Sequence, residues 1–236
     1  MRILAFDTAT PLTSVALRDI GEQANVCLRT ELDLTAVDDP TPGARPGHAQ
    51  KLLSLIERLL EEGATSWEEI DRLAVGVGPG TFTGLRIGIA TAHALAQSTG
   101  IPLVAVSTLA SLETATRVGG AVLAVIDARR GEAFIGGTGV EAQVVGPEQL
   151  GAIAGRFGGG RAGSPGNGVT AVGDGVVKFR ELLQRAGATV PPDESPLHRV
   201  SARQHCRLAA LLQPSPTGMV EPQYMRVPDA ELSQRP

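Results

Sequence analysis

Aromatic residues make up only 3% of this chain. Platforms that stack the bases of single-stranded nucleic acid need aromatic rings, so their scarcity argues against one. Cysteine is nearly missing too. Cys27 and Cys206 lie far apart and neither belongs to a CxxC pair, so neither a disulfide framework nor a zinc site is expected. There is no dense run of Lys or Arg, and the formal net charge is −4. A large autonomous nucleic-acid footprint is therefore not expected. Long apolar runs are absent as well. The most apolar helical stretch, residues 85–96, is interrupted by Arg86 and His93 and is too short to span a bilayer. The opening residues read as a strand and not as a signal peptide. The expected setting is soluble, reducing and cytoplasmic, away from membranes.

Ala, Val, Leu and Gly dominate what is present, and 236 residues suffice for one large domain or two small ones. Alternation and turn residues predict strands over 2–9, 13–20 and 24–32, then a loop over 33–46. A helix is expected from Gly47 to Glu62, a short helical piece over 66–70 and a strand over 72–77. A long helix over 83–99, a strand over 102–106 and a short helix over 108–116 follow. The second half echoes the first. Residues 2–9 compare with 121–128, each a buried strand ending in Asp plus a small residue, each followed by a polar turn and another strand. Such an echo indicates internal duplication. Further helices are predicted over 147–157, 176–186 and 201–212, with a strand over 169–173 and a Gly-rich loop over 158–168. Strands before helices, given twice, predict an α/β fold of duplicated actin-like, heat-shock-ATPase-like (ribonuclease-H-like) mixed sheets with flanking helices. The expected division is residues 1–107 and 108–213, with the tail 214–236 packed back on the first part through Tyr224 and Met225.

The segment from Val75 to Arg86 carries the densest information. A short apolar strand ends in Gly78-Pro79-Gly80, and a helix begins at once. Such a junction can hold an anion, because the helix start leaves amide donors free and glycine permits close approach. Asp7 and Thr8 close the first strand, where an acidic residue in actin-like ATPases faces a metal–phosphate; equally, Asp7 can accept hydrogen bonds from its own turn. Asp7, Thr8, Gly78, Gly80, Thr81, Thr83 and Arg86 are thus candidates for a vestigial nucleotide or anion loop. Stringent phosphate patterns fail. Thr81 stands where a third glycine is needed, and no P-loop occurs in the chain.

Gly84, Gly88, Ala92 and Ala96 form a stripe of small residues at every fourth position, the spacing that interdigitates in the commonest helix packing. On the helix at 47–62, Ala49, Leu52, Leu53, Leu55, Ile56, Leu59 and Leu60 cover about 160° of arc, wider than a core-facing stripe requires. Two such helices could form a platform for a partner's helices, or could both pack inside this chain. His48 has Leu52, not a second ligand, one turn on. No HxxxH, HExxH or nucleophile–base signature exists, and His198, His205 and Cys206 read as coincidental neighbours.

Residues 3–10, His48 to Leu53, Gly76 to Gly88, 107–109, Ile126 to Glu132 and Glu221 to Arg226 resemble the TsaB (YeaZ) family, most strongly over 1–132 and at the tail. The resemblance implies a non-catalytic subunit needed for threonylcarbamoyl transfer to the adenosine beside the anticodon of tRNA. It implies a heterodimer with the catalytic paralogue TsaD, with TsaE as ATPase and tRNA met only through the complex; the surplus apolar helix surface, and not the resemblance, suggests a homodimer when the partner is missing. It places the platform on the two helices, with His48, Leu52, Leu55, Ile56, Leu59, Gly84, Gly88, Ala92 and His93 as interface residues. No firmly bound cofactor or metal is implied, and ATP or ADP is a candidate only at the interface of the complex. The alternative is a stand-alone ATPase or small-molecule kinase using Asp7 and the 78–84 loop. A metalloprotease, suggested by the older glycoprotease-like label, finds no catalytic residues here.

Overall fold

The computed structural model describes residues 1–21, 32–41, 44–116, 120–157, 168–216 and 218–226. Most of the strand expected over 24–32, and the Gly-rich loop, lie outside the described residues. The chain divides into two compact units: residues 1–111 with 201–222, and 112–200 with the tail from 223.

The first unit holds a five-stranded sheet in the order β3-β2-β1-β4-β5. Its strands are β1 (Arg2–Asp7), β2 (Thr13–Asp19), β3 (Asp33–Asp38), β4 (Arg72–Gly78) and β5 (Leu103–Ser107). β1 pairs antiparallel with β2, Phe6 opposite Val15, and parallel with β4, Phe6 beside Val75. Successive side chains leave a strand on opposite faces, and both faces here are apolar. Leu4, Phe6, Val15 and Leu17 pack under α1 (His48–Glu62) and α2 (Phe82–Thr99). Ile3, Ala5, Ala16 and Ala74 face the other way, onto Ala202, Cys206 and Ala209 of α7 (Ala202–Leu211). α2 ends at Gly100, whose φ of 74° is left-handed, the usual glycine stop.

The second unit repeats the pattern in a four-stranded sheet of order β8-β7-β6-β9. β6 (Ala121–Arg129) pairs antiparallel with β7 (Glu132–Gly137) and parallel with β9 (Val169–Val172), as β1 does with β2 and β4. β8 (Val140–Val145) stands where β3 stands in the first sheet. Leu150 and Ala154 of α4 (Pro147–Phe157), Val176 of α5 (Asp174–Lys178) and Leu183 of α6 (Arg180–Arg185) fill its core with Leu123, Val125 and Ile135. The short α3 (Thr108–Thr114) follows β5.

Several expectations require correction. Asp33–Asp38 is a strand and not a loop, because Leu34 and Ala36 alternate with exposed residues in register with β2. β8 was not foreseen; Glu141, Ala142 and Gln143 are exposed, so no apolar signal marks it. The helix expected over 176–186 is two pieces broken at Phe179. The expected boundaries put α7 in the second half, but its apolar face packs on β1 and β2 of the first sheet. In the tail Val220 is buried, whereas Tyr224 is 42% exposed, and Arg226 hydrogen-bonds the Ala128 carbonyl of the second unit, its own, at 2.8 Å. Among the described residues no helix is long and apolar enough to cross a membrane.

Candidate functional site

The site centres on Asp7 at the end of β1. Its side chain is 1% exposed, and three donors converge on it. The Ala9 amide donates to Oδ1 at 2.7 Å, the Thr108 hydroxyl to Oδ2 at 2.8 Å, and His205 Nε2 lies 2.9 Å from the same Oδ2. His205, on α7, is fully buried, and its Nδ1 lies 3.3 Å from the Ser201 carbonyl. An ionised carboxylate is acceptor-only, so these contacts suit the charged form. Burial alone would raise the Asp7 carboxyl. The hydrogen bond and charge of His205, with the Ala9 amide and the Thr108 hydroxyl, outweigh it and hold the group below its ordinary 3.8. Gly76 on β4 is what makes room, since a Cβ there would collide with Asp7 Oδ2. His205, read from sequence as a coincidence, is the residue missed; it stands 198 positions away and no local pattern announces it. Its neighbour Cys206 is enclosed too, and burial pushes its thiol up to about 12, which makes it inert.

The candidate anion loop does lie against Asp7 and Thr8, but what fills it is this chain's own backbone. The Thr8 hydroxyl donates to the Gly84 carbonyl at 2.7 Å, and the Thr81 amide donates to the Ala9 carbonyl at 2.7 Å. A Cβ on Gly80 would strike the Ala9 carbonyl, one on Gly84 the Thr8 carbonyl, and one on Gly88 the Thr8 hydroxyl. Gly78 has a φ of 104°, a conformation that favours glycine. Thr83 and Arg86 remain on the surface, with the Arg86 guanidinium 3.7 Å from the Phe82 ring centroid.

This overturns the expectation that the small-residue stripe admits a partner helix. Gly84, Gly88 and Ala92 are buried against this chain's own turn and sheet. Likewise His48, Leu52, Leu55, Ile56 and Leu59 are buried in the first core, at 0–7% exposure, and cannot reach a partner surface. His93 is half-buried and its Nε2 accepts from the Val220 amide at 3.0 Å. The outward faces carry other residues: Ala49, Leu53 and Glu57 on α1, and Ala90, Ala94 and Gln97 on α2. Leu53 is 51% exposed.

His48 shares a hydrogen bond of 2.7 Å between its Nδ1 and the Thr13 hydroxyl, while its Nε2 is buried with no partner. Burial lowers its pKa from the ordinary 6.5, and Asp7 and Asp38 only partly oppose this. The unfolded chain therefore binds the proton more readily than the folded one. His48 contributes full stability above about pH 6.5, lost progressively as pH falls below that. Urea titrations at pH 7.5 and 5.5 should show a lower midpoint in acid, and His48→Gln should shrink the difference.

The equivalent position of the second unit is Asp127 at the end of β6. Its Oδ1 accepts from Lys178 Nζ at 2.7 Å and from the Arg129 amide at 2.9 Å. Arg129 and Arg130 take left-handed backbone, φ 64° and 50°, a strain of about 1–2 kcal/mol each for non-glycine residues. Beside them Asp174 accepts from the Asp127 amide at 3.2 Å. Burial, with the Asp127 charge adding to it, pushes the Asp174 carboxyl up to about 6. A folded-state pKa above the unfolded value means that its stabilisation exists while protonated and is lost as pH rises from about 4 through 6. Asp174→Asn keeps the acceptor oxygen and removes the buried charge. It should stabilise the second unit at pH 7 by on the order of 1–3 kcal/mol, with the gain vanishing near pH 4 in denaturant titrations.

Comparison with known proteins follows the same lines. Residues 41–165 match the family model for TsaD, tRNA N6-adenosine threonylcarbamoyltransferase. The chain is 41% identical over 137 residues to the Escherichia coli K12 tRNA threonylcarbamoyladenosine biosynthesis protein TsaB, covering 57% of this chain and 53% of that one. Against the TsaB of Bacillus subtilis 168 the identity is 31% over 137 residues, 58% and 54% of the two chains. The aligned part thus spans about half the length of these curated relatives. Among solved structures, a Pseudomonas aeruginosa protein with similarity to peptidase YEAZ superposes with a TM-score of 0.70 at 27% identity, over 95% of this chain and 99% of that one. A second, YeaZ from Pseudomonas aeruginosa, gives 0.64 at 28% identity over 89% and 92%. With a TsaD family model matched over more than half of its residues and TsaB and YeaZ proteins as relatives in sequence and fold, the chain belongs to the TsaB (YeaZ) family.

Proposed function

We propose that this chain is a non-catalytic subunit of the cytoplasmic machinery that makes threonylcarbamoyladenosine in tRNA. It acts as heterodimer partner and scaffold for the catalytic TsaD, with TsaE as ATPase. The observation that carries this reading is the similarity to proteins named for that biosynthesis, joined to the match with the TsaD family model. Two features of the site support the non-catalytic part. Asp7, the carboxylate that a metal–phosphate would need, is already satisfied by three donors of this chain. His48 stands one turn before buried Leu52, so that helix face offers a single imidazole, itself bonded to Thr13.

Docking uses the outward faces of α1 and α2 around Leu53, Ala90 and Ala94, and not the buried stripe. Exposed apolar residues on neighbouring helices are the usual anchors of such a contact. Mixing the purified chain with the TsaD of the same host at micromolar concentration should give a co-eluting 1:1 complex, and separate elution would sink the proposal. Leu53→Arg should weaken the complex about tenfold or more while leaving the unfolding free energy within about 0.5 kcal/mol, as surface substitutions do.

A further inference from the structure

The turn between β1 and β2 holds more than Asp7. Four helices begin on it. α1 is tied by His48 to Thr13 at 2.7 Å. α2 is tied by the Gly84 carbonyl to the Thr8 hydroxyl and by the Thr81 amide to the Ala9 carbonyl, both at 2.7 Å. α3 is tied by Thr108 to Asp7 at 2.8 Å. α7 is tied twice, by His205 to Asp7 at 2.9 Å and by the Ala202 amide donating to the Ser14 hydroxyl at 2.9 Å. Asp7, Thr8, Ala9, Thr13 and Ser14 are all buried, with Ser14 2% exposed and the rest less. The turn also has no slack on the α2 side, because Gly80, Gly84 and Gly88 meet it without space for a single added carbon.

We infer that the Asp7–His205 pair is a latch through which the C-terminal helix α7 sets the position of the N-terminal turns of α1 and α2. The chain of contacts is short. His205 holds the Asp7 carboxylate, Asp7 holds the Ala9 amide, and Ala9 and Thr8 hold the start of α2. Packed interiors transmit such displacements because they are close-packed and cannot absorb them locally. His205 is a positioning residue in this scheme. It sits on α7, which packs on the sheet face opposite α1 and α2, and its hydrogen bond to Asp7 joins it to the turn on which they begin. That α1 and α2 are the docking helices rests on the proposed function; the coupling itself does not.

Amide hydrogen exchange of the full chain, read residue by residue, tests the coupling without any partner. His205→Leu removes the donor to Asp7, and exchange over the first two turns of α1 and α2 should then rise about tenfold or more. Amides of β6 and β7 in the second unit should keep their rates. His205→Gln retains a donor on a flexible chain and should restore part of the protection. Ser14→Ala, which removes only the Ala202 contact, is the milder companion should His205→Leu fail to fold; it should raise exchange in the same two helix starts by a smaller factor. A rise confined to α7, with the starts of α1 and α2 unchanged, overturns the inference. So does an equal rise in both sheets, which would report global unfolding. Loss of TsaD binding in the wild-type chain would sink the proposed function and leave this result standing.

Discussion

Gly84→Ala is expected to destabilise the isolated chain by about 2–3 kcal/mol or more, against the gain of about 1 kcal/mol that Ala ordinarily brings to a helix interior. The added carbon would collide with the Thr8 carbonyl and come within 2.6 Å of the Thr81 hydroxyl. The first of these is backbone, held by the strand pairing of β1 on one side and by the Thr8–Gly84 hydrogen bond on the other. It cannot rotate away as a flexible side chain could, so α2 or the turn must shift. Gly88→Leu should be worse, because the side chain would enter the space of the Thr8 hydroxyl and Val75. Denaturant unfolding of the chain alone reads both. If either variant folds with wild-type stability and only partner binding suffers, the stripe lies at an interface and the assignment of these glycines to the core fails.

Asp7→Asn should cost about 3–5 kcal/mol, the usual loss when one partner of a buried pair is removed. The amide would keep one acceptor oxygen for Ala9 but replace the charged acceptor by an NH2 group, which the Thr108 hydroxyl and the His205 ring can meet only by reversing their roles and accepting. The pH dependence follows from the depressed carboxyl. Its stabilisation is present above the unfolded value of about 3.8 and is lost as pH falls through the lower folded value. Wild-type stability should therefore fall steeply with acid below about pH 4, and Asp7→Asn, less stable at pH 7, should show a flatter profile there. If Asp7→Asn is as stable as the wild type at pH 7, the carboxylate is not the structural keystone described here. Its loss of a magnesium-dependent ATP turnover would instead favour the stand-alone ATPase.

Much of the architecture was legible along the chain. β1, β4 and β6 are short apolar runs closed by turn residues, and Gly63 and Gly100 stop the helices that precede them. The echo between residues 2–9 and 121–128 correctly indicated two sheets of one plan. The strands that escaped, β3 and β8, occupy the same place in the two sheets. Both are edge strands with about half of their residues in solvent, so their hydrophobic signal is weak even though their backbone pairing is regular. The candidate site was half legible. Asp7, Thr8 and the 78–84 loop do meet, but the partners that decide their chemistry, His205 and Thr108, come from distant parts of the chain.

Local pattern by itself determined most of the strands and helices, where they stop, and that one unit is built twice, because periodicity and turn chemistry act over a few residues. It also carried the family resemblance. What occupies the glycine stripe was decided only by the tertiary structure. A row of small residues says that something approaches closely, and the fold supplies this chain's own Thr8–Ala9 turn before any partner helix can. The same holds for Asp7. A carboxylate at a strand end can face a metal–phosphate or be satisfied internally, and the outcome depends on which donors the folded chain brings to it. α7 returns across the first sheet and places an imidazole 2.9 Å from that carboxylate, which closes the site.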